Sequence, residues 1–103
     1  MLIYNTTFHA EDDVHHNFLI WLQESYIPGI ERASVLKSPR LCRLLNFHDE
    51  GTAYSLQWEV ESSACLHRWY AEQGLAFNGE LEKIFRDRVV GFSTLMEVIA
   101  CNR

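Results

Sequence analysis

From Thr52 to Val60 the chain alternates cleanly, with Tyr54, Leu56, Trp58 and Val60 on one side and Ser55, Gln57 and Glu59 on the other. Alternation with a period of two predicts a β-strand that buries one face. Leu2 to Phe8 repeats the rhythm, setting Leu2, Tyr4, Thr6 and Phe8 against Ile3, Asn5 and Thr7 in residue types that favour strands. Leu41 to Phe47 reads as a strand with Leu41, Leu45 and Phe47 on one face. His48 to Gly51 is a short Asp/Gly-containing turn that joins it to the Thr52 run as a hairpin. Val89 to Ile99 predicts a last strand, apolar on both faces: Val89, Leu95 and Ile99 against Val90, Phe92, Met96 and Val98.

The rhythm changes between these runs. In "DVHHNFLIWLQESYIP" (Asp13 to Pro28), a spacing of about 100° per residue gathers Val14, His15, Phe18, Leu19, Trp21, Leu22, Ser25 and Tyr26 on one arc. His16, Asn17, Gln23 and Glu24 fall on the other side. Glu11, Asp12 and Asp13 supply carboxylates where a helix start favours them, and Pro28 predicts a stop near Tyr26. A second helix begins after Ser62-Ser63 and carries the stripe Leu66, Tyr70, Phe77, Leu81 and Ile84, with Gly74 and Gly79 as candidate bend points.

Strand, helix, strand, strand, helix, strand is the split-βαβ order. It predicts one α+β domain over residues 1–103: a ferredoxin-like βαββαβ fold, with a four-stranded antiparallel sheet and both helices on one face. The face bearing Leu2, Tyr4, Leu41, Leu45, Tyr54, Leu56 and Trp58 should meet the helices. The other still holds Ile3, Cys42, Leu44 and half of the last strand. An open face with that much apolar surface calls for a partner, and a homodimer packed sheet against sheet is the economical one. Lys37, Arg40 and Arg43 fit charges that guard a sheet edge better than an anion site.

Composition narrows the function. The 103 residues are 48% hydrophobic with a net charge of −5, spread without an acidic or basic tail, which argues against nucleic acid as the main partner. No apolar run approaches the roughly 18 residues needed to span a membrane, and the start lacks a secretory pattern. Three distant cysteines (Cys42, Cys65, Cys101) read as reduced thiols in a cytoplasmic protein. No phosphate loop, zinc-protease helix or serine elbow is present. His15 and His16 project about 100° apart, so no metal site is expected.

"IYNTTFHAEDDVHHNFLIWLQESYIP", "RLLNFHDEGTAYSLQWEVES" and "GFSTLMEVI" together resemble an uncharacterised bacterial family of unknown function within the dimeric α+β barrel group. The likeness covers nearly the whole chain. It implies the ferredoxin-like fold and a homodimer, and no activity. That family usually has histidine before its Ile-Pro, where this chain has Tyr26.

Candidate chemistry is sparse. His15, inside the apolar arc, is read either as a buried histidine held by a tyrosine or backbone group or as a catalytic residue. Tyr4, His15, Tyr26, Trp58 and Tyr70 would line a pocket between sheet and helices suited to a flat apolar or aromatic ligand, unless these rings fill the space themselves. The resemblance to the wider barrel group implies an enzymatic alternative: a monooxygenase, either cofactor-independent on an aromatic substrate or haem-degrading. Its haem enzymes resemble this chain in placing an asparagine on the first strand, a tryptophan on the third and an iron-ligating histidine on the second helix. Asn5, Trp58 and His67 occupy those elements. Strand parity opposes that set, because Asn5 falls on the face away from Tyr4 and Trp58. The primary expectation is a ligand-binding or structural module without a cofactor, with His15 and His67 as catalytic candidates in the alternative.

Overall fold

The computed structural model describes residues 1–45 and 50–101. Among them the chain order is β1 (Leu2–Ala10), helix α1 (His15–Trp21, Leu22–Tyr26 and Ile27–Glu31 in continuity), β2 (Lys37–Arg43), β3 (Thr52–Val60), helix α2 (Ser63–Trp69, Tyr70–Gly74 and Leu75–Phe85) and β4 (Val89–Glu97). The strands form one antiparallel sheet in the order β2-β3-β1-β4. This is the ferredoxin-like α+β arrangement that the alternating and helical periods predict.

Register fixes the two faces. Tyr4 lies between Trp58 and Leu95, Thr6 between Leu56 and Ser93, and Phe8 between Tyr54 and Gly91. Directly paired residues point the same way, so these side chains all face the helices. Phe8, Tyr54, Leu56, Trp58 and Val60 are buried there beneath Phe18, Leu22, Tyr26 and Ile30 of α1 and Leu66, Trp69 and Phe85 of α2. Edge-to-face contacts fasten the layers, with ring centroids 5.2 Å apart for Phe8–Phe18 and 5.4 Å for Phe18–Phe85.

Both helices differ from their expected course, for a shared reason. Helix α1 does not stop at Tyr26 but runs on through Pro28. At Leu22–Tyr26 it widens into a π-helical turn, where the Ile27 N–H donates to the Leu22 carbonyl five residues back. Pro28 then opens the following α-helical stretch, in a first turn that needs no proline N–H. Helix α2 widens at Tyr70–Gly74, the Leu75 N–H reaching the Tyr70 carbonyl. Beyond this turn Phe77 and Leu81 still pack against the core as expected, while Phe85 ends the stripe in place of Ile84, which is exposed. Gly74 closes this turn against aromatic rings. A Cβ there would stand 2.8 Å from both the Trp69 and Tyr70 rings. Ser25, at the edge of the predicted arc, is exposed.

The helix starts also divide. The Ser62 hydroxyl accepts from the Cys65 N–H at 3.1 Å, the expected cap. Helix α1 has no side-chain cap, and Glu11, Asp12 and Asp13 lie in the turn before it, with Asp13 paired to Arg88.

The second strand is displaced from its expected span. It occupies Lys37–Arg43, leaving Leu45 exposed in a turn, while Asn46 and Phe47 lie outside the described residues, as do His48 and Asp49 of the expected turn. Ser38 has φ 53° and the ladder slips between Lys37 and Arg40. That bulge admits Pro39, which an edge strand tolerates because its outer N–H positions need no partner. Lys37, Arg40 and Arg43 are exposed along this edge, as expected of guarding charges. Gly51, at φ 90°, turns the chain into β3, where a Cβ would stand 2.6 Å from the Ala10 carbonyl.

Candidate functional site

The residues expected to line one pocket separate into three places. Tyr4 and Tyr70 do converge. With Leu66, His67, Ser93, Thr94 and Leu95 they line a pocket of about 230 Å³ where α2 crosses β1 and β4. Tyr4 comes from β1, Ser93 and Leu95 from the helix-facing side of β4, and Leu66, His67 and Tyr70 from α2. His67, exposed on its helix, forms part of the wall.

Hydroxyl groups concentrate beside this pocket. The Tyr4 and Ser93 hydroxyls share a hydrogen bond of 3.1 Å, and Ser93 shares another of 3.0 Å with Thr6. Asn78 Nδ2 donates to the Tyr70 hydroxyl at 3.0 Å. Tyr26, buried at 7% exposure among Phe8, Trp21 and Phe77, stands within electrostatic reach of Tyr4 and Tyr70. Burial first, then those two neighbouring phenols, pushes the Tyr26 hydroxyl well above the ordinary phenol range, so it remains protonated and neutral. Both helical π-turns abut this cluster: one ends at Tyr26 and the other begins at Tyr70. Such turns recur where a helix aims functional side chains.

Trp58 does not belong to this pocket. It is 2% exposed and fills the core on β3, on the far side of β1 from the β4 edge where the pocket forms. His15 is also elsewhere. It begins α1 near the end of β1, and its Nδ1 is enclosed without a hydrogen-bond partner among the described residues. Neither a tyrosine nor a backbone group is hydrogen-bonded to that atom among the described residues, contrary to the buried, satisfied histidine expected.

Asn5, Trp58 and His67 are not brought together. Asn5 faces away from the helices, accepting from Ser55 Oγ at 2.6 Å and donating to Thr7 Oγ1 at 3.2 Å. Trp58 is enclosed, His67 is at the rim, and the pocket beside it is below the roughly 300–1,000 Å³ usual for larger ligands. Haem does not fit these residues. Among the described residues no three His, Cys, Asp or Glu side chains gather as metal ligands would, and no helix is long and apolar enough to cross a membrane.

Sequence reasoning named Tyr4, His67 and Tyr70 but missed Ser93, Thr94 and Leu95 as their companions. The signal was present: pairing β4 antiparallel to β1 sets Leu95 beside Tyr4 and Ser93 beside Thr6. The pairing itself is a tertiary fact.

The sheet's other face carries the second feature. Ile3, Asn5, Thr7 and His9 of β1 pair with Met96, Thr94, Phe92 and Val90 of β4 and with residues of β3 on this side. No helix covers it. Phe92 is 66% exposed and Val90 56%. With Thr7, His9, Leu44, Glu50 and Ala53 they border a hollow of about 740 Å³. His9 Nε2 donates across its end to the Glu50 carbonyl at 2.6 Å.

Fold and site together define a ferredoxin-like α+β protein with a small pocket under one helix and an uncovered sheet face. The chain belongs to the family described as a domain of unknown function (DUF4286), whose model matches residues 1–99. Among solved structures it is similar to a dimeric ferredoxin-like protein from an uncultured marine organism, with a TM-score of 0.75 and 13% identity over 98% of this chain and 97% of that one. It is likewise similar to a Deinococcus radiodurans protein provisionally described as an antibiotic biosynthesis monooxygenase, with a TM-score of 0.72 and 15% identity over 100% and 97% of the two chains. A third similar structure is an "ethyl tert-butyl ether d (ethd)" family protein from Bacillus halodurans, with a TM-score of 0.67 and 9% identity over 96% and 100%. At these identities the likeness concerns the fold. No curated protein matches the sequence.

Proposed function

We propose that this chain is a homodimeric module that holds one small, flat ligand in each protomer, in the pocket bounded by Tyr4, Leu66, His67, Tyr70, Ser93, Thr94 and Leu95. The observation that carries this reading is the convergence of β1, α2 and β4 on one pocket, with polar groups from all three elements. Its size suits a single ring. The dimer would use the open face. Burying Phe92 and Val90 is favourable, and the central polar groups of that face already satisfy one another through the Ser55–Asn5–Thr7 chain, so covering them forfeits little. The dimeric state of the similar marine protein agrees with this assembly. Three free cysteines suit a reducing, cytoplasmic setting.

The pocket is tested by titrating the ¹⁵N-labelled protein with phenol. Amide shifts confined to Leu66–Tyr70 and Ser93–Leu95 are expected; shifts absent there, or spread over the surface, would refute the site.

The place of His67 in the pocket wall favours a second reading, a cofactor-independent monooxygenase acting on an aromatic substrate. The imidazole would take the proton from a bound phenol or enol. Oxygen uptake with a panel of single-ring dihydroxybenzenes, abolished in His67→Ala, would support this reading; no uptake with any of them would count against it.

A further inference from the structure

The two edges of the sheet are built differently. On β2, Pro39, the bulge at Ser38 and the charges of Lys37, Arg40 and Arg43 discourage a further strand. The β4 edge has none of these devices. It runs nine residues in unbroken register with β1, holds no proline, and bears a single charge, Glu97, at its end. The Val98 N–H donates to the Met1 carbonyl, so along the ladder Met96, Thr94, Phe92 and Val90 turn their backbone groups to β1. Gly91, Ser93 and Leu95 turn theirs outward, where no strand pairs with them among the described residues.

A groove follows this edge beneath α2. The pocket of Tyr70 and Leu95 lies at one end, and a hollow of about 830 Å³ bordered by Asn78, Glu82, Asp87 and Gly91 lies at the other. Leu75, 57% exposed and three positions before Asn78, stands between them on the same side of the helix. Val90 and Thr94 border these spaces although their side chains face the opposite way, so both spaces reach round to the strand's backbone edge. At the wider end Arg86 offsets only one of the two carboxylates, Glu82 and Asp87. A second copy laid antiparallel on this edge in the register of fullest overlap, about Ser93, would set its Glu97 opposite Val89. That would add a third carboxylate to the same end, so the charge favours a different occupant.

We propose that the β4 edge receives an extended peptide of another protein as a fifth, antiparallel strand, with an aromatic side chain in the Tyr70–Leu95 pocket and a basic one beside Glu82 and Asp87. The proposal rests on the reading of that pocket as a site for one ring and names what carries the ring. The peptide backbone answers the outward groups of Gly91, Ser93 and Leu95, and alternate side chains enter the groove. Gly91, having no side chain, leaves room for the basic residue's stem.

The test titrates the ¹⁵N-labelled protein with acetyl-Thr-Phe-Thr-Val-Thr-Lys-Thr-amide, which sets phenylalanine opposite Leu95 and lysine opposite Gly91. Shifts along β4 and slowed hydrogen exchange at the Gly91, Ser93 and Leu95 amides are expected. The same peptide N-methylated at valine and lysine keeps its side chains but loses two donors, and should bind about tenfold or more weakly. Glutamate in place of lysine should weaken binding about threefold, and Glu82→Lys should reverse that preference. Equal binding of the N-methylated peptide would overturn strand addition, and equal binding of the glutamate peptide would overturn the placement of the basic residue. No shifts with the peptide, while phenol still shifts the pocket amides, would overturn the proposal and leave the pocket standing; no shifts with either would overturn both. Slow exchange of the three amides without peptide, lost on dilution, would assign the edge to a second copy and overturn the proposal.

Discussion

The two faces of the sheet have nearly the same backbone and opposite fates. On the helix side Phe8, Tyr54, Leu56 and Trp58 are enclosed, and their aromatic edges lock the layers together. On the other side, one residue along the same strands, Phe92 and Val90 stand exposed around a core of polar groups that bond to one another. The difference shows where intramolecular burial ends. The covered face supplies the stability of the single chain, and the uncovered one is the surface that the proposed second copy would cover.

Substitutions on each face should separate these roles. The largest effect is expected inside: Trp58→Ala should lower unfolding free energy by about 3–5 kcal/mol in urea titrations, since it removes the largest enclosed side chain and leaves a cavity. On the open face, Phe92→Lys should weaken self-association by about tenfold or more, read by sedimentation at several concentrations. The same variant should leave the far-ultraviolet circular dichroism unchanged. If the two substitutions had the same signature, the division between faces would be wrong.

Smaller effects sharpen the covered side. Tyr26 is raised above its unfolded value of 10.0, so the folded state holds its proton where the unfolded state has released it. Stability from this group is therefore fully present below about pH 10 and declines as pH rises further, by at most about 1.4 kcal/mol per pH unit. Urea midpoints between pH 9 and pH 11.5 should show that decline, and Tyr26→Phe should flatten it. Last, Ser62→Ala removes the hydroxyl that receives the Cys65 N–H and should cost about 1 kcal/mol of stability by the same titration.

The architecture was legible because period-2 alternation in Thr52–Val60 and Leu2–Phe8 leaves few ways to assign faces, and Tyr54, Leu56, Trp58 and Val60 are buried as that alternation requires. The failures have local causes. Pro28 reads as a helix stop, but a π-turn lets the chain carry it, and a missing N–H looks the same in sequence whether the helix ends or widens. At the end of α2 Phe85 is buried and Ile84 is not; the two stand three and four positions after Leu81, so helical spacing alone does not choose between them. Leu41 to Phe47 looked like a strand on its apolar spacing, whereas the strand begins earlier, at Lys37, where the edge position and the bulge at Ser38 make room for Pro39.

The site was half legible. Tyr4 and Tyr70 were named as pocket residues, and His67 as a candidate of a different kind. Trp58 and His15 were misplaced, because residue type marks an aromatic or a histidine as interesting without saying whether it bounds a space or fills one. Asn5 was correctly assigned to the far face by strand parity. Ser93, Thr94 and Leu95 carry no distinctive motif and acquire meaning from lying beside β1.

The claim on which this account depends is that the bare sheet face is covered by a second copy of the chain. Sedimentation equilibrium of the wild-type protein at micromolar concentration tests it most directly. The account predicts a species of twice the 12.0 kDa chain mass that dissociates in Phe92→Lys. A single species at 12.0 kDa across that concentration range would contradict it.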